Sequence, residues 1–373
     1  MKNITFCLIL ILINVSVKSQ ITLRKVLIDS ENHKPIPFAN VYLQNNYRTG
    51  TVSNEDGKFI LKNIKKNSLI QISHISYKTF IGNIDSIIRD TIVLQPKTEF
   101  LQEVVVTNMS GKKIMEKAIN HLAINYSVEN LMYNSYIREL IFEEDMQKLH
   151  ILSEYLIHVY QNKADNSKFQ IEKMRAKYFS KLGAKYFKDM RVIFGIASCP
   201  ENLFKNPPPY LKERNLNKLD FKIIDETDTT FEIGCIPKKI NKNTFFVYHI
   251  LFIDKSSWAI KKVISYRTQD KKYYWERGFK QINDKWYNSY LKINQESTLL
   301  EEWDSDSKIL RNIIAIYNIN HELKYDKQSF KSYINIVAEP VKYHIGNWND
   351  DFWENYNYIP LPDWIKEKID SKK

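Results

Sequence analysis

The residue types that most often carry enzyme chemistry are present in this chain, but they form no catalytic or metal-binding pattern. None of the eight histidines begins a His-x-x-Glu or His-Glu-x-x-His motif, which would place zinc ligands on one helix face. No Gly-x-Ser-x-Gly sequence is present, and the nine glycines assemble no phosphate-binding loop. The sequence therefore predicts a protein that is not an enzyme, with no catalytic residues, no metal and no cofactor.

Two serine–lysine pairs have the spacing of a catalytic serine and lysine. Ser110 precedes Lys113 by three residues, and Ser305 precedes Lys308 by the same distance. Serine is also common at the first position of helices and in turns, where it bonds the backbone. We interpret the first pair as a helix cap and the second as a turn, and a hydrolase is the least favoured function.

Two cysteines, Cys199 and Cys235, lie outside the first 19 residues. An oxidising compartment permits a disulfide between them. Two free cysteines, each buried as a small apolar side chain, are the alternative. No Cys-x-x-Cys motif occurs, so neither a redox site nor a zinc ribbon is predicted.

The first 19 residues have the three parts of a secretory signal peptide: Lys2, an apolar stretch over 4–15, and a small residue, Ser19, at the end. Cys7 lies inside the apolar stretch, so a lipid-modified N-terminal cysteine is not expected. No later stretch has the length of a membrane-spanning helix. We expect an exported protein, periplasmic or associated with the outer membrane, with no transmembrane segment in the mature chain.

Length and composition indicate a folded protein of two domains. The 373 residues are 43% hydrophobic, enough for a substantial core, and the formal net charge is +12. The lysines are interleaved with acidic residues, as on solvated faces; an anionic partner such as lipid headgroups or a polysaccharide is the alternative. A protein of the envelope is a further candidate partner. No nucleic-acid-binding motif is present, so no nucleic acid is expected.

The stretch 35–59 sets the architecture of the first domain. Phe38, Val41 and Leu43 stand among small or polar residues and predict a strand, and Lys58 begins another. The residues between them favour a tight turn in which Gly57 has a positive φ. Short strands separated by turns predict a β-sandwich, with strands near 21–28, 38–44, 58–62, 68–74, 77–81 and 91–95.

This region resembles the carboxypeptidase-regulatory-like domain over residues 21 to about 107. The resemblance rests on Pro-Ile-Pro-Phe-Ala-Asn-Val at 35–41, Gly-Thr-Val-Ser-Asn-Glu-Asp-Gly-Lys-Phe at 50–59, and the strand at 69–78. Lys25 and Ser76 depart from the pattern, since the family often has glycine there. The resemblance implies a transthyretin-like β-sandwich that is not catalytic, as found at the N-termini of many Gram-negative envelope proteins.

The rest of the chain predicts one helix followed by many strands. Ile114, Ala118 and Leu122 recur at helical spacing over 110–126, and a second helix is predicted at 184–196. Strands are predicted near 133–139, 151–160, 169–179, 219–226, 229–236, 244–254, 258–268, 271–282, 285–295 and 309–319. A helix followed by such an antiparallel meander resembles the half-barrel carriers of the LolA and LolB kind.

The predicted fold class is therefore mainly β: a transthyretin-like β-sandwich followed by an antiparallel β half-barrel (α+β) with a packed helix. The last segment, 346–373, is unusually aromatic, and it predicts either a strap packed on the second domain, which we favour, or a surface that binds a sugar or a partner. The predicted divisions are 1–19 signal peptide, 20–97 sandwich, 98–109 linker and strand, 110–345 meander domain, and 346–373 tail.

Two functional hypotheses precede the hydrolase. The first is an exported, non-catalytic envelope protein with a binding or scaffolding role at the outer membrane or in the periplasm. The second is a carrier of an apolar ligand such as a lipid, because a curved sheet covered by a helix can enclose a cavity. The predicted cavity residues are Phe246, Tyr248, Leu251, Trp258, Tyr274 and Trp286.

Overall fold

The computed structural model of the protein describes residues 21–44, 46–74, 76–96, 109–126, 129–143, 148–161, 167–181, 183–184, 203–204, 207–239, 247–267, 273–297, 310–323, 346–348, 350–356 and 359–370. Within these ranges, no helix is long and apolar enough to cross a membrane. The predicted signal peptide, the predicted strand in the linker and nearly all of the predicted helix at 184–196 lie outside them. The predicted domain boundaries stay predictions.

The N-terminal region is a sandwich of two sheets. Its strands are β1 (Ile21–Asp29), β2 (Asn40–Leu43), β3 (Asn46–Val52), β4 (Lys58–Ile64), β5 (Leu69–His74), β6 (Tyr77–Asn83) and β7 (Thr91–Leu94). The sheets have the strand orders β4-β1-β7 and β3-β2-β5-β6, and β1 pairs with β7 in parallel. Apolar side chains from both sheets form one core, so the predicted sandwich is confirmed.

Two glycines mark where backbones approach closely in this domain. Gly57 has a φ of +72°, as predicted, and a Cβ there would lie 2.5 Å from the carbonyl oxygen of Leu27. Strand β3 was not predicted, because its residues are mostly polar and include Gly50. A Cβ on Gly50 would lie 3.0 Å from the carbonyl oxygen of Val41, so the strand needs a small residue at this position.

The second region contains one large antiparallel sheet that is not closed into a barrel. Its strands are β8 (Leu131–Glu143), β9 (Leu149–Gln161), β10 (Ser167–Tyr178), β11 (Leu219–Glu226), β12 (Thr230–Pro237), β13 (Val247–Asp254), β14 (Ile260–Arg267), β15 (Tyr273–Ile282), β16 (Lys285–Ser297) and β17 (Leu310–Leu323). The strand order is β10-β9-β8-β17-β16-β15-β14-β13-β12-β11. Two meanders are thus joined where β17 returns to β8, and the predicted fold class is confirmed.

Short helices pack on this sheet or follow it. They are α1 (Gly111–Asn120), α2 (Leu122–Asn125), α3 (Asp351–Asn355) and α4 (Asp363–Asp370), with 3-10 turns at Ile84–Ser86, Pro209–Leu211 and Glu213–Lys218. Ser110 caps α1, since its Oγ accepts a hydrogen bond from the backbone N–H of Lys113 at 3.4 Å. The prediction that this serine–lysine pair is a cap is therefore confirmed.

The large sheet has two faces with different coverings, because successive side chains of a strand point to opposite sides. On the helix face, Phe231, Ile233 and Leu251 pack against Ile114 and Met115 of α1. The opposite side, named here the sandwich face, contacts the N-terminal domain. The buried cluster between them contains Phe38, Val52, Tyr136, Leu156 and Tyr317.

The aromatic tail also packs on the sandwich face. Trp353 and Ile359 are buried in the same cluster as Phe38 and Tyr136, and Ile365 of α4 is buried against Leu152. The tail thus contacts the sandwich domain as well as the sheet.

Candidate ligand-binding cavity

A cavity of about 520 Å³ lies on the helix face, between strands β12 to β16 and the turn before β11. Its size falls within the range of small-molecule sites. The walls are mainly apolar or aromatic, with three polar side chains, His249, Ser265 and Arg277. The other lining residues are Leu203, Pro208, Pro209, Tyr210, Leu219, Cys235, Pro237, Val247, Val263, Tyr273, Trp275 and Leu291.

Strand register explains why these side chains meet. Cys235 is paired with His249, His249 with Ser265, and Ser265 with Trp275, across four neighbouring strands. Directly opposed residues of an antiparallel pair share a face, with Cβ atoms roughly 5 Å apart. His249 and Ser265 therefore form a polar patch on a wall that is otherwise mainly apolar.

The imidazole of His249 is held in place by two neighbours. Its Nδ1 lies 2.8 Å from Oγ of Ser265, and its ring centroid is 4.3 Å from that of Tyr210. Burial lowers the pKa of His249 to about 4, because the charged imidazolium is poorly solvated here. His249 is therefore neutral at pH 7 and can exchange a hydrogen bond with a ligand.

The thiol of Cys235 is also neutral. Burial raises its pKa to about 12, and the facing imidazole of His249 carries no positive charge at pH 7. A thiolate–imidazolium pair, which a cysteine nucleophile needs, is thus disfavoured on both sides. The other half of the predicted disulfide, Cys199, lies outside the described residues, so the pairing stays a prediction.

Arg277 is buried and supplies the charge of the cavity. A guanidinium keeps its proton in proteins, so the charge persists at any physiological pH. Among the described residues that line the cavity, none is acidic. The combination of apolar walls, neutral hydrogen-bonding groups and one permanent cation suits an apolar molecule with an anionic end.

The structure does not bring the five described members of the predicted cavity set into one site. Leu251 belongs to the buried cluster on the helix face, and Trp258 and Trp286 pack at its edge. Tyr248 and Tyr274 flank Tyr266 in register across β13 to β15 and lie on the sandwich face. The sixth residue, Phe246, lies outside the described residues.

None of the five described members lines the 520 Å³ cavity. The predicted residues do not all lie on one face of the sheet, since Tyr248 and Leu251 point to opposite faces of β13. Val247 and His249, which do line the cavity, lie on the same face of β13 as Leu251, but both faces of this strand are largely apolar, so its sequence alone does not mark the cavity side.

A buried carboxyl lies farther along the helix face, on β8. Glu139 accepts hydrogen bonds from Asn312 Nδ2 at 2.9 Å and from Tyr155 OH at 3.2 Å. Burial raises the pKa of Glu139, and the hydrogen bonds from Asn312, Tyr155 and Ser153 only partly oppose this. Glu139 therefore stays protonated to a higher pH than an exposed glutamate would.

On the sandwich face, a buried charge cluster joins the sheet to the tail. Glu154 of β9 lies between Arg138 and Arg175, with Arg138 Nη2 at 2.7 Å from Oε1 and Arg175 Nε at 2.7 Å from Oε2. Each arginine also donates to tail carbonyl oxygens. Arg138 bonds Ile359 at 2.5 Å, and Arg175 bonds Trp348 at 3.2 Å.

The tail also contacts the turn at 54–58 of the sandwich domain through polar groups. Asn54 Nδ2 donates to the carbonyl oxygen of Pro360 at 3.2 Å, and the backbone N–H of Asp363 donates to Asp56 at 2.8 Å. Lys58 and Asp363 form an ion pair at 2.5 Å. The turn at 54–58 and the tail therefore meet at one junction on the sheet.

The described residues contain no group of three or more His, Cys, Asp or Glu side chains arranged to hold a metal ion.

The N-terminal sandwich is a domain of a known family. Residues 25–106 match the model of the CarboxypepD_reg-like domain, in agreement with the resemblance seen in the sequence. No curated protein matches the chain.

Solved structures with similarity to this chain are distant. A LolA superfamily protein from Nitrosomonas europaea is 11% identical, with 60% of this chain and 98% of that chain covered and a TM-score of 0.27. A domain from Vibrio parahaemolyticus, named for outer-membrane lipoprotein sorting, is 11% identical, with 59% and 97% covered and a TM-score of 0.31. A DUF1329 family protein from Desulfovibrio piger is 8% identical, with 60% and 95% covered and a TM-score of 0.27. At these TM-scores the functions of those proteins are not carried over to this chain.

Proposed function

We propose that this protein is an exported, non-catalytic component of a bacterial cell envelope that binds an apolar ligand with an anionic end. A fatty acid or a phospholipid has this chemistry. The observation that carries the proposal is the 520 Å³ cavity, whose walls are mainly apolar and whose one permanent cation, among the described lining residues, is Arg277. Its polar groups match the few, well-placed contacts that orient a ligand in an apolar pocket.

Support for the non-catalytic part comes from the protonation states in the cavity. His249 and Cys235 face each other across β12 and β13, where a nucleophile and its base would be expected in a cysteine hydrolase. Burial holds both side chains neutral at pH 7. Support for export comes from the signal-peptide pattern at 1–19 and from the CarboxypepD_reg-like domain, which resembles domains of envelope proteins.

A scaffold is the second candidate, and a specific observation favours it. The sandwich domain, the sheet and the tail share a buried cluster that contains Phe38, Tyr136 and Trp353. Such an apolar junction fixes the domains together, as a rigid binding platform requires.

Native mass spectrometry of the full-length protein, isolated without detergent, separates these two candidates. The carrier proposal predicts a bound species of lipid mass that organic solvent extracts. A protein that is free of lipid, and that also takes up none from mixed vesicles, would favour the scaffold instead.

A further inference from the structure

A second cavity, separate from the one on the helix face, lies between the two domains. It has a volume of about 310 Å³ and is named here the interdomain cleft. One wall comes from β2, β5 and β6 of the sandwich domain, with Asn40, Gln71 and Ser73. The other wall comes from β14 to β16, with Lys262, Lys280 and further residues. The proposed carrier function makes no use of this cleft.

The ionisable lysines of the cleft have no acidic counterpart among its described lining residues. Three lysines line the cleft, Lys261, Lys262 and Lys280. Lys261 is already neutralised, since it lies 3.4 Å from Asp254. A nearby carboxylate, Glu276, accepts a hydrogen bond from Tyr290 OH at 2.7 Å.

Lys280 makes its observed hydrogen bonds to neutral groups. Its Nζ donates to Asn40 Oδ1 and to the carbonyl oxygen of Asn318, each at 3.1 Å. Burial lowers the pKa of Lys280 to about 7, as expected for an ammonium without a nearby anion. Lys262 lies with its Nζ 3.8 Å from the ring centroid of Phe252, which is also uncharged. An anion in the cleft would provide the charge that Lys280 lacks, and Lys262, whose charge already acts on Glu232, adds a second positive charge on the same wall.

The remaining lining groups indicate what kind of anion fits. Amide and hydroxyl side chains project from both walls, and aromatic side chains complete them. These residues are Asn40, Gln71, Ser73, Thr79, Gln281, Asn283 and Ser289 with Phe38, Tyr42, Trp286 and Tyr290. Amides and hydroxyls exchange hydrogen bonds with ligand hydroxyl groups, and aromatic faces pack against the apolar side of a sugar ring.

We propose that the interdomain cleft binds a small hydroxylated anion of the class of sugar phosphates and sugar acids, with Lys280 and Lys262 at its negative group. Because both domains contribute to the walls, the bound ligand links them. Binding therefore stabilises the folded protein by mass action.

Isothermal titration calorimetry with the full-length protein tests this proposal. The probes are glucose 6-phosphate and glucuronate, with inorganic phosphate and glucose as comparison ligands. We expect at least one of the two sugar anions to bind and to raise the melting temperature, and both comparison ligands to bind more weakly than that anion. Failure of both sugar anions to bind at millimolar concentration overturns the proposal, as does equal or tighter binding of glucose or of inorganic phosphate.

Variants locate the site. Lys280→Met removes a charge-assisted hydrogen bond and should weaken binding about tenfold or more. Lys222→Met changes an exposed lysine on β11 and should leave binding unchanged. If Lys280→Met does not fold, Lys262→Met, at a half-exposed position, takes its place with the same expectation. Wild-type affinity in a folded variant of either cleft lysine contradicts the proposal. Neither result depends on lipid binding at the helix face, so the two proposals fail independently.

Discussion

Replacing Glu154 by glutamine should destabilise the protein strongly. Glu154 is fully buried and lies between Arg138 and Arg175, whose side chains are 3% and 12% exposed. The variant removes the carboxylate that lies between the two guanidinium groups, at a position that is fully buried. Removing one partner of a buried ion pair typically costs about 3–5 kcal/mol. That is a large part of the roughly 5–15 kcal/mol by which a domain is stable.

Urea unfolding at pH 7, followed by tryptophan fluorescence, measures this difference. Glu172→Gln is the matched control, because Glu172 is half-exposed and lies 3.1 Å from His158 at the surface. Loss of this surface ion pair should lower the free energy of unfolding by less than about 1 kcal/mol. If Glu154→Gln lowers the free energy of unfolding by no more than the control does, the conclusion that this cluster holds the tail to the sheet is refuted.

The effect should also depend on pH. Burial opposes the ionisation of Glu154, but the charges of Arg138 and Arg175 outweigh it and hold its pKa below the usual range. A lowered native pKa means that the stabilisation is present above the unfolded-state pKa, which is about 4.3, and is lost as pH falls through the native pKa. Wild type and Glu154→Gln should therefore converge in acid, and a constant difference down to low pH would contradict this assignment.

Four further outcomes are expected. Truncation before Gly346 removes the buried ring of Trp353, whose loss alone costs about 3–5 kcal/mol, so the shortened chain should have a much lower melting temperature. An unchanged melting temperature would mean that the tail is not a strap packed on the second domain. Gly57→Val places a Cβ at a φ of +72° and should cost the sandwich domain about 1–3 kcal/mol in thermal melts, whereas an unchanged melt would show that the turn tolerates the side chain. Glu139→Gln removes a carboxyl of raised pKa, so the variant should be more stable than the wild type in urea titrations at pH 7. This gain should disappear below the usual glutamate pKa, and a gain that is larger in acid than at pH 7 would contradict the assignment. In a variant that lacks the other cysteines, Cys235 should react with iodoacetamide at pH 8 far more slowly in the native than in the denatured protein, and equal rates would show an accessible thiolate.

Local patterns predicted most of the strands. The period-2 alternation and the turn residues placed the strands of the large sheet to within a few residues, and the Ser110 cap and the apolar stripe placed α1. Strand β3 was missed because its polar residues and Gly50 match no strand pattern. Its position depends on close packing against Val41, which is a tertiary contact and not a local preference.

The pairing of strands that are distant in the chain was harder to predict from the sequence. The pairing of β17 with β8 joins residues such as Ile316 and Ile137, which are far apart in the chain, and no local signal specifies it. The candidate cavity needed both the strand register and the knowledge of which face α1 covers. Aromatic residues alone did not identify it, because Tyr248 and Tyr274 point away from the face that carries His249.

The most direct test of the central claim is the equilibrium binding of a fluorescent long-chain fatty acid to the full-length protein and to two tryptophan variants. Val247→Trp adds an indole at the wall of the cavity, and Ile250→Trp adds the same group on the opposite face of β13. The proposal predicts saturable binding by the wild type and by folded Ile250→Trp, and binding at least about tenfold weaker for folded Val247→Trp. No binding by the wild type, or equal binding by the two variants, would contradict it.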